Sequence, residues 1–210
     1  MMAIFATVEI EDSFKNRGRI CKMVEEAVWE LGISDKLEKV AIKPPPSGSS
    51  TDMNYLDPKT KSLELEIVDS LENLEGRVLH ELMHVVDQLN KKFKYQKSRE
   101  PSVGTAELRR YKYFWNIYID SRLLKGGRPA YESCEAREKE MEECYPELSA
   151  GLRKKIFDYL WGREPFDQRL LAKMGHDLFS ASKDLEALSN SHGETLQRFK
   201  SLEDLQNYGK

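Results

Sequence analysis

The residues with the clearest capacity for chemistry are two histidines and a glutamate in the segment His80-Glu81-Leu82-Met83-His84. In a helix, side chains four residues apart leave the same face because one turn takes about 3.6 residues. His80 and His84 are therefore expected to present two imidazoles to one cation, with Glu81 about a quarter turn away. In this arrangement the histidines bind zinc and the glutamate acts as general base toward the zinc-bound water. The spacing predicts a zinc hydrolase site.

The sequence around this segment has the pattern of an amphipathic helix packed on a core. His80, His84 and Asp87 fall on one side, and the opposite side carries an apolar stripe made of Leu74, Val78, Leu82, Val85 and Leu89. The alternative is that the two histidines are ordinary surface or core residues and that Glu81 is a solvated charge. The helical context favours the zinc site.

A catalytic zinc requires a third protein ligand in addition to the two histidines. Asp120 is the best candidate, because it lies in a predicted helix over residues 105–124 that is apolar on most sides. None of its neighbours at helical spacing is a basic residue that would pair with it. A buried carboxylate without a partner is costly unless a cation supplies one. The alternative is a lysine or arginine partner that is distant in sequence.

Other carboxylates have a basic neighbour at helical spacing and are predicted to be solvated charges. The pairs are Glu107 with Arg110, Glu135 with Lys139, and Asp87 with Lys91. Asp87 has a second interpretation, because it follows His84 by one turn on the ligand side of the helix. From there it is able to accept a hydrogen bond from an imidazole and so orient it.

At these residues the chain resembles the zincin superfamily of metallopeptidases, in which the H-E-x-x-H helix packs under a small sheet and a later helix brings the third ligand. In the gluzincin branch that later helix carries E-x-x-x-D, where the glutamate binds zinc and the aspartate holds a ligand histidine. This chain has Asn116-x-x-x-Asp120 instead. The resemblance implies either that Asn116 stands in the ligand position or that Asp120 itself binds zinc, as in aspzincin-like sites. We favour Asp120.

The resemblance covers roughly residues 50–125 and extends to a W-N-x-x-x-D string, Trp115 to Asp120, that is similar to a segment of bacterial metallopeptidases. The chain also resembles an uncharacterised archaeal-type family of such proteins. The metzincin pattern is excluded, because Asn90 stands at the place of its third ligand and Asp87 at the place of its glycine.

The resemblance implies a zinc-dependent metallopeptidase that hydrolyses peptide bonds, with Glu81 moving a proton from water to the leaving amine. The implied cofactor is Zn²⁺ and the implied partner is a peptide or protein substrate. The alternative is a non-catalytic, zinc-binding, peptidase-like protein that acts as a structural or regulatory partner-binding module. Retention of Glu81 speaks against this alternative, because a structural zinc site has no use for a base.

A peptidase site also needs a donor for the developing oxyanion and a surface that holds the substrate. The candidates for the donor are Tyr118, Arg122, Tyr131 and His176. For the surface, the strand predicted over residues 63–68 is expected to be an edge strand that pairs with an extended peptide.

The elements that position these residues predict an α+β fold: a small N-terminal sheet with the active-site helix, followed by a mainly helical part. Residues 1–128 form the predicted zincin-like catalytic region, and residues 129–210 form a helical region that need not be a separate domain. Strands are predicted over residues 3–10 and 40–42 and in a hairpin of 54–56 with 63–68. Besides the two helices above, helices are predicted over 13–31, 129–144, 146–161 and 165–179, with a charged tail from 182.

Length and composition narrow the class of protein. A chain of 210 residues can bury a sizeable core, and a net charge of -3 argues against a nucleic-acid partner. No apolar run reaches membrane-spanning length, and no secretory signal is visible at the N-terminus. Three cysteines without a C-x-x-C pair fit reduced thiols in a cytoplasm. These features predict a cytoplasmic protein without a membrane partner and leave its oligomeric state open.

Overall fold

The structure, a computed structural model, describes residues 6–47, 49, 51–161 and 167–178. They divide into two compact units. The first unit takes in the chain up to Leu89 together with Gly126–Tyr131, and the second takes in Asn90–Lys125 and the described residues from Glu132 onward. A four-stranded sheet is combined with several helices, which confirms the mixed α and β class.

The first unit contains the sheet, whose strands are β1 (Thr7–Ile10), β2 (Lys39–Lys43), β3 (Met53–Asp57) and β4 (Ser62–Glu66). Their order is β1-β2-β4-β3. The β1–β2 and β2–β4 pairs are parallel, whereas β3 and β4 form the predicted antiparallel hairpin.

The prediction that strand 63–68 is an edge strand is wrong. β4 lies between β2 and β3, so β3 is the outer strand on this side of the sheet. A hairpin pattern specifies only the antiparallel partner of a strand, whereas the parallel partner β2 comes from earlier in the chain. Any extended peptide added at this side would therefore pair with β3.

Two helices of the first unit bury the apolar face of the sheet. α1 (Arg17–Glu30) contacts β1 and also α2 (Leu74–Leu89), which contacts β3. The predicted apolar stripe of α2 is buried along most of its length, whereas Leu89 at its end is partly exposed. The buried apolar residues of the sheet, α1 and α2 include Ile10, Val40, Ile42, Leu63, Leu65, Ile20, Val24, Ala27, Val28, Leu74, Val78, Leu79, Leu82 and Val85. This packing places the motif in the middle of a helix fixed on a sheet.

A buried ion pair holds the beginning of α2. Arg77 Nε donates to Asp52 Oδ2 at 2.6 Å, and the guanidinium also donates to the carbonyls of Val68, Ser70 and Glu72. Burial acts to lower the pKa of Arg77, but the hydrogen bond and charge of Asp52 outweigh it and raise the pKa. The charged guanidinium thus ties the loop between β4 and α2 to the helix.

The segment Gly126–Tyr131 belongs to the first unit and docks on the start of α2. Asn73 Nδ2 donates to the carbonyl oxygens of Ala130 and Tyr131, both at 2.9 Å. At Gly76, an added Cβ would lie 2.3 Å from the carbonyl oxygen of Ala130. A glycine at this position of the helix is therefore required for the close approach of the segment.

Gly76→Ala is expected to destabilise the protein because the new methyl group forces this segment away from α2. The matched control is Gly18→Ala in α1, where no atom lies within 4 Å of the added Cβ. Because both variants gain helix propensity, the difference between their free energies of unfolding isolates the clash, expected at about 1–3 kcal/mol. Urea unfolding measures it, and equal free energies for the two variants would contradict the close approach.

The second unit is helical, with α3 (Ala106–Lys125), α4 (Cys134–Cys144), α5 (Ala150–Leu160) and α6 (Gln168–His176). α4 and α5 begin later than predicted, because the side chains of Ser133 and Ser149 accept hydrogen bonds from the first turns and cap them. α3 contacts α4 and α6, and it belongs with them to the second unit. Among the described residues, no helix has the length and apolar character needed to cross a bilayer. The predicted charged tail from residue 182 lies outside the described residues.

Candidate metal and catalytic site

The two histidines of the motif lie on successive turns of α2. Their ring centroids are 5.0 Å apart, and the ring planes are inclined at 77°. His80 is only 3% exposed, whereas His84 is partly exposed. Imidazole nitrogens are preferred zinc ligands, so this pair fits the donor chemistry of a zinc site.

Glu81, between the histidines, is 7% exposed, and its carboxylate is held by the sheet. Glu81 Oε2 accepts a hydrogen bond from Asn54 Nδ2 of β3 at 2.6 Å. Asn54 Oδ1 in turn accepts a hydrogen bond from Gln88 Nε2 at 3.0 Å. A hydrogen bond to an ionised acceptor is shorter and stronger than one between neutral groups, so this contact orients the carboxylate.

Asn54 was not among the residues predicted for the site. In the β3–β4 register it lies opposite Leu65, whose side chain is buried in the core. Directly opposite residues of a sheet share a face, so Asn54 is an amide on an otherwise apolar face. A polar residue at an inward-facing position of a strand was therefore the one sequence feature that indicated a role for Asn54 in the site.

Asp87 is 1% exposed, so the prediction that it is a solvated charge is wrong. Asp87 is buried because it lies on the same side of α2 as His80 and His84. The interpretation that Asp87 orients an imidazole stays a prediction.

The other predicted surface carboxylates lie in the second unit. Glu135 is exposed, as predicted. Glu107 pairs with His176 Nδ1 at 2.8 Å and not with Arg110, which pairs with Glu147. His176 is thus part of a surface hydrogen bond of the second unit.

Asp120, the predicted third ligand, lies on α3 in the second unit and is fully buried. Its Oδ2 accepts a hydrogen bond from Arg137 Nε of α4 at 2.7 Å. Arg137 is the basic partner, distant in sequence, that the sequence analysis gave as the alternative to an unpaired carboxylate. The helical neighbours of Asp120 gave no sign of this arginine, because it comes from the next helix. Asn116, one turn before Asp120, is partly buried.

The partner of Asp120 is shared between two carboxylates. Arg137 Nη1 also donates to Glu140 Oε2 at 2.6 Å. Burial acts to lower the pKa of Arg137, but the charges of Asp120 and Glu140 outweigh it and raise the pKa.

Of the four candidates for the oxyanion donor, Tyr131 belongs to the first unit together with the motif. Its ring centroid is 5.3 Å from that of His80. The contacts of Asn73 and Gly76 with the preceding segment fix this position. Tyr118, Arg122 and His176 belong to the second unit, where the Arg122 guanidinium stacks over the Tyr118 ring at 3.9 Å.

Within the described ranges, no group of three or more His, Cys, Asp or Glu side chains is arranged to hold a metal ion. Among the described residues, the two imidazoles of α2 thus provide two zinc donors. A third ligand is predicted only by the sequence.

Comparison with protein-family models, with curated proteins and with solved structures finds no match for this chain. The function has to be inferred from the residues of the site themselves.

Proposed function

We propose that this protein is a zinc-dependent metallopeptidase that hydrolyses peptide bonds of peptide or protein substrates. The observation that carries the proposal is the pair of imidazoles 5.0 Å apart with a buried, hydrogen-bonded carboxylate next to them on the same helix. Hydrolysis needs a base beside the metal ligands, whereas a structural zinc site needs only ligands.

His80 and His84 would hold the zinc ion, with Asp120 as the third ligand that the sequence predicts and Asn116 as the alternative. The salt bridge of Asp120 to Arg137 uses Oδ2. A carboxylate has two oxygens and about four lone-pair sites, so an arginine at one oxygen is compatible with coordination.

Zinc, when bound, lowers the pKa of a coordinated water and polarises the scissile carbonyl. Glu81 accepts the proton of the attacking water on its carboxylate and later delivers it to the nitrogen of the leaving amine. Asn54 keeps the Glu81 carboxylate in place during both transfers. Tyr131, beside His80, is the candidate hydrogen-bond donor to the oxyanion.

The outer strand β3 is the candidate surface for the substrate. An extended peptide that adds to a sheet edge gains main-chain hydrogen bonds with little demand on its sequence. Since Asn54 of β3 contacts Glu81, a peptide along this strand runs close to the base. We therefore propose an extended, unstructured peptide segment as the substrate, and a cytoplasmic location as the sequence predicts.

The test is a cleavage screen with protein that is purified without metal affinity and reconstituted with equimolar zinc. A mixed peptide library and an unfolded protein serve as substrates, and mass spectrometry identifies new termini. We expect cleavage by the zinc-loaded protein, loss of cleavage with 1,10-phenanthroline and recovery when zinc is added back. Zinc binding without any cleavage would instead support the non-catalytic, zinc-binding alternative.

A further inference from the structure

We propose that Asn54 positions the general base, and that Gln88 supplies the donor that the Asn54 amide oxygen needs in this orientation. This inference rests on the proposed function, because it assigns Glu81 the role of base. It concerns three side chains that join α2 to the outer strand of the sheet.

The helical repeat of α2 and the alternation of side chains along β3 bring Asn54, Glu81 and Gln88 together. Glu81 and Gln88 are seven residues apart, so they lie on nearly the same face of α2, the helix that contacts β3. Asn54 lies in β3 opposite the buried Leu65 and therefore on the face of the sheet that the helices cover. Its amide is bonded to both helix side chains, at 2.6 Å to Glu81 and at 3.0 Å to Gln88.

In this series of hydrogen bonds, the donor and the acceptor of each bond are determined by the chemistry of the groups. An ionised carboxylate only accepts, so Asn54 must present its NH₂ group to Glu81. Asn54 Oδ1 then faces Gln88, which must donate through Nε2. Gln88 thus satisfies the amide oxygen of Asn54 in the orientation that the Glu81 carboxylate imposes.

For catalysis, these hydrogen bonds matter because they determine where the Glu81 carboxylate lies. Glu81 has several rotatable side-chain bonds, and the hydrogen bond from Asn54 to Oε2 restricts the positions that its carboxylate takes. A misplacement of the reacting groups by about 1 Å costs roughly 100-fold in rate. Because Asn54 belongs to β3, the strand proposed to receive the substrate also fixes the base relative to it.

The first experiment compares kinetic constants and zinc content of zinc-loaded variants. Asn54→Leu is expected to lower kcat roughly 10- to 100-fold with KM and zinc content unchanged, since it removes the donor to Glu81 and no metal ligand. Gln88→Glu is also expected to lower kcat, because a carboxylate at position 88 offers no donor to Asn54 Oδ1 and competes with Glu81 for the NH₂ group of Asn54. Gln88→Met, the matched control, removes the donor without adding a competing acceptor and is expected to have a smaller effect. An unchanged kcat in Asn54→Leu would overturn the inference.

The second experiment does not depend on activity. Asn54→Leu is made in the wild type and in Glu81→Met, and the melting temperatures are measured for the metal-free proteins. We expect the decrease to be larger in the wild type by about 2–6 °C, because only there does a buried carboxylate lose its donor. Equal decreases would show that Asn54 does not hold Glu81 and would overturn the inference.

The two experiments separate the inference from the function on which it rests. Cleavage by the wild type together with full activity of Asn54→Leu refutes the positioning role alone. Absence of cleavage by the zinc-loaded wild type refutes the proposed function, and the melting temperatures still decide whether Asn54 holds Glu81.

Discussion

Replacing Glu81 with glutamine is expected to lower kcat of the zinc-loaded protein about 10²- to 10⁴-fold, the contribution typical of a general acid–base. Glutamine keeps the size of the side chain, and its amide oxygen still accepts the hydrogen bond from Asn54. It has no basic oxygen to take the proton from water. Chromatographic assay of one cleaved peptide measures kcat, and elemental analysis of the same samples measures zinc.

The control for this variant is Glu72→Gln, an identical change at an exposed glutamate just before α2. It is expected to leave kcat unchanged. Wild-type turnover by Glu81→Gln would assign the base to another residue. Loss of zinc from Glu81→Gln would show that Glu81 binds the metal instead of acting on water.

Arg137→Met is expected to lower the free energy of unfolding by about 3–5 kcal/mol, because it removes one partner of a buried ion pair. Asp120 is fully buried and Arg137 is 5% exposed, so water cannot replace the lost guanidinium without opening the helices. Urea unfolding in the presence of a chelator measures this loss without any contribution from bound metal.

Two further variants test the explanation of that loss. Arg169→Met, at an exposed arginine on α6, is expected to change the free energy of unfolding by no more than about 0.5 kcal/mol. Asp120→Leu combined with Arg137→Met is expected to recover much of the stability, since apolar replacement of a whole buried pair is tolerated. A double variant as unstable as Arg137→Met would contradict the role of the ion pair.

The local features of the site were predictable from the sequence. The apolar stripe of α2 and the pairing of His80 with His84 depend only on helical periodicity, and the structure confirms both. The hairpin of β3 and β4 depends on strand alternation and a turn, which also act over short distances. Each of these features depends on residues that lie close together in the sequence.

The contacts that the sequence analysis missed all join segments that are distant along the chain. β4 inserts beside β2, Arg137 reaches Asp120 from the next helix, and Asn54 reaches Glu81 from the sheet. Each of these contacts depends on which helices and strands pack together. The spacing of residues within one helix or strand does not specify its packing partner. Only the polar residue on the apolar face of β3 gave a local sign of such a contact.

The most direct test of the zinc site is the metal content of protein purified without metal affinity, compared between the wild type and the variants His84→Ala, Asp120→Ala and Glu81→Gln. We predict about one zinc per chain in the wild type and in Glu81→Gln, as expected for a single catalytic site, and none in the other two. Zinc retained in Asp120→Ala would remove Asp120 from the ligand set. No zinc in the wild type even after reconstitution would contradict the site and leave a protein in which the His80–His84 motif is a coincidence.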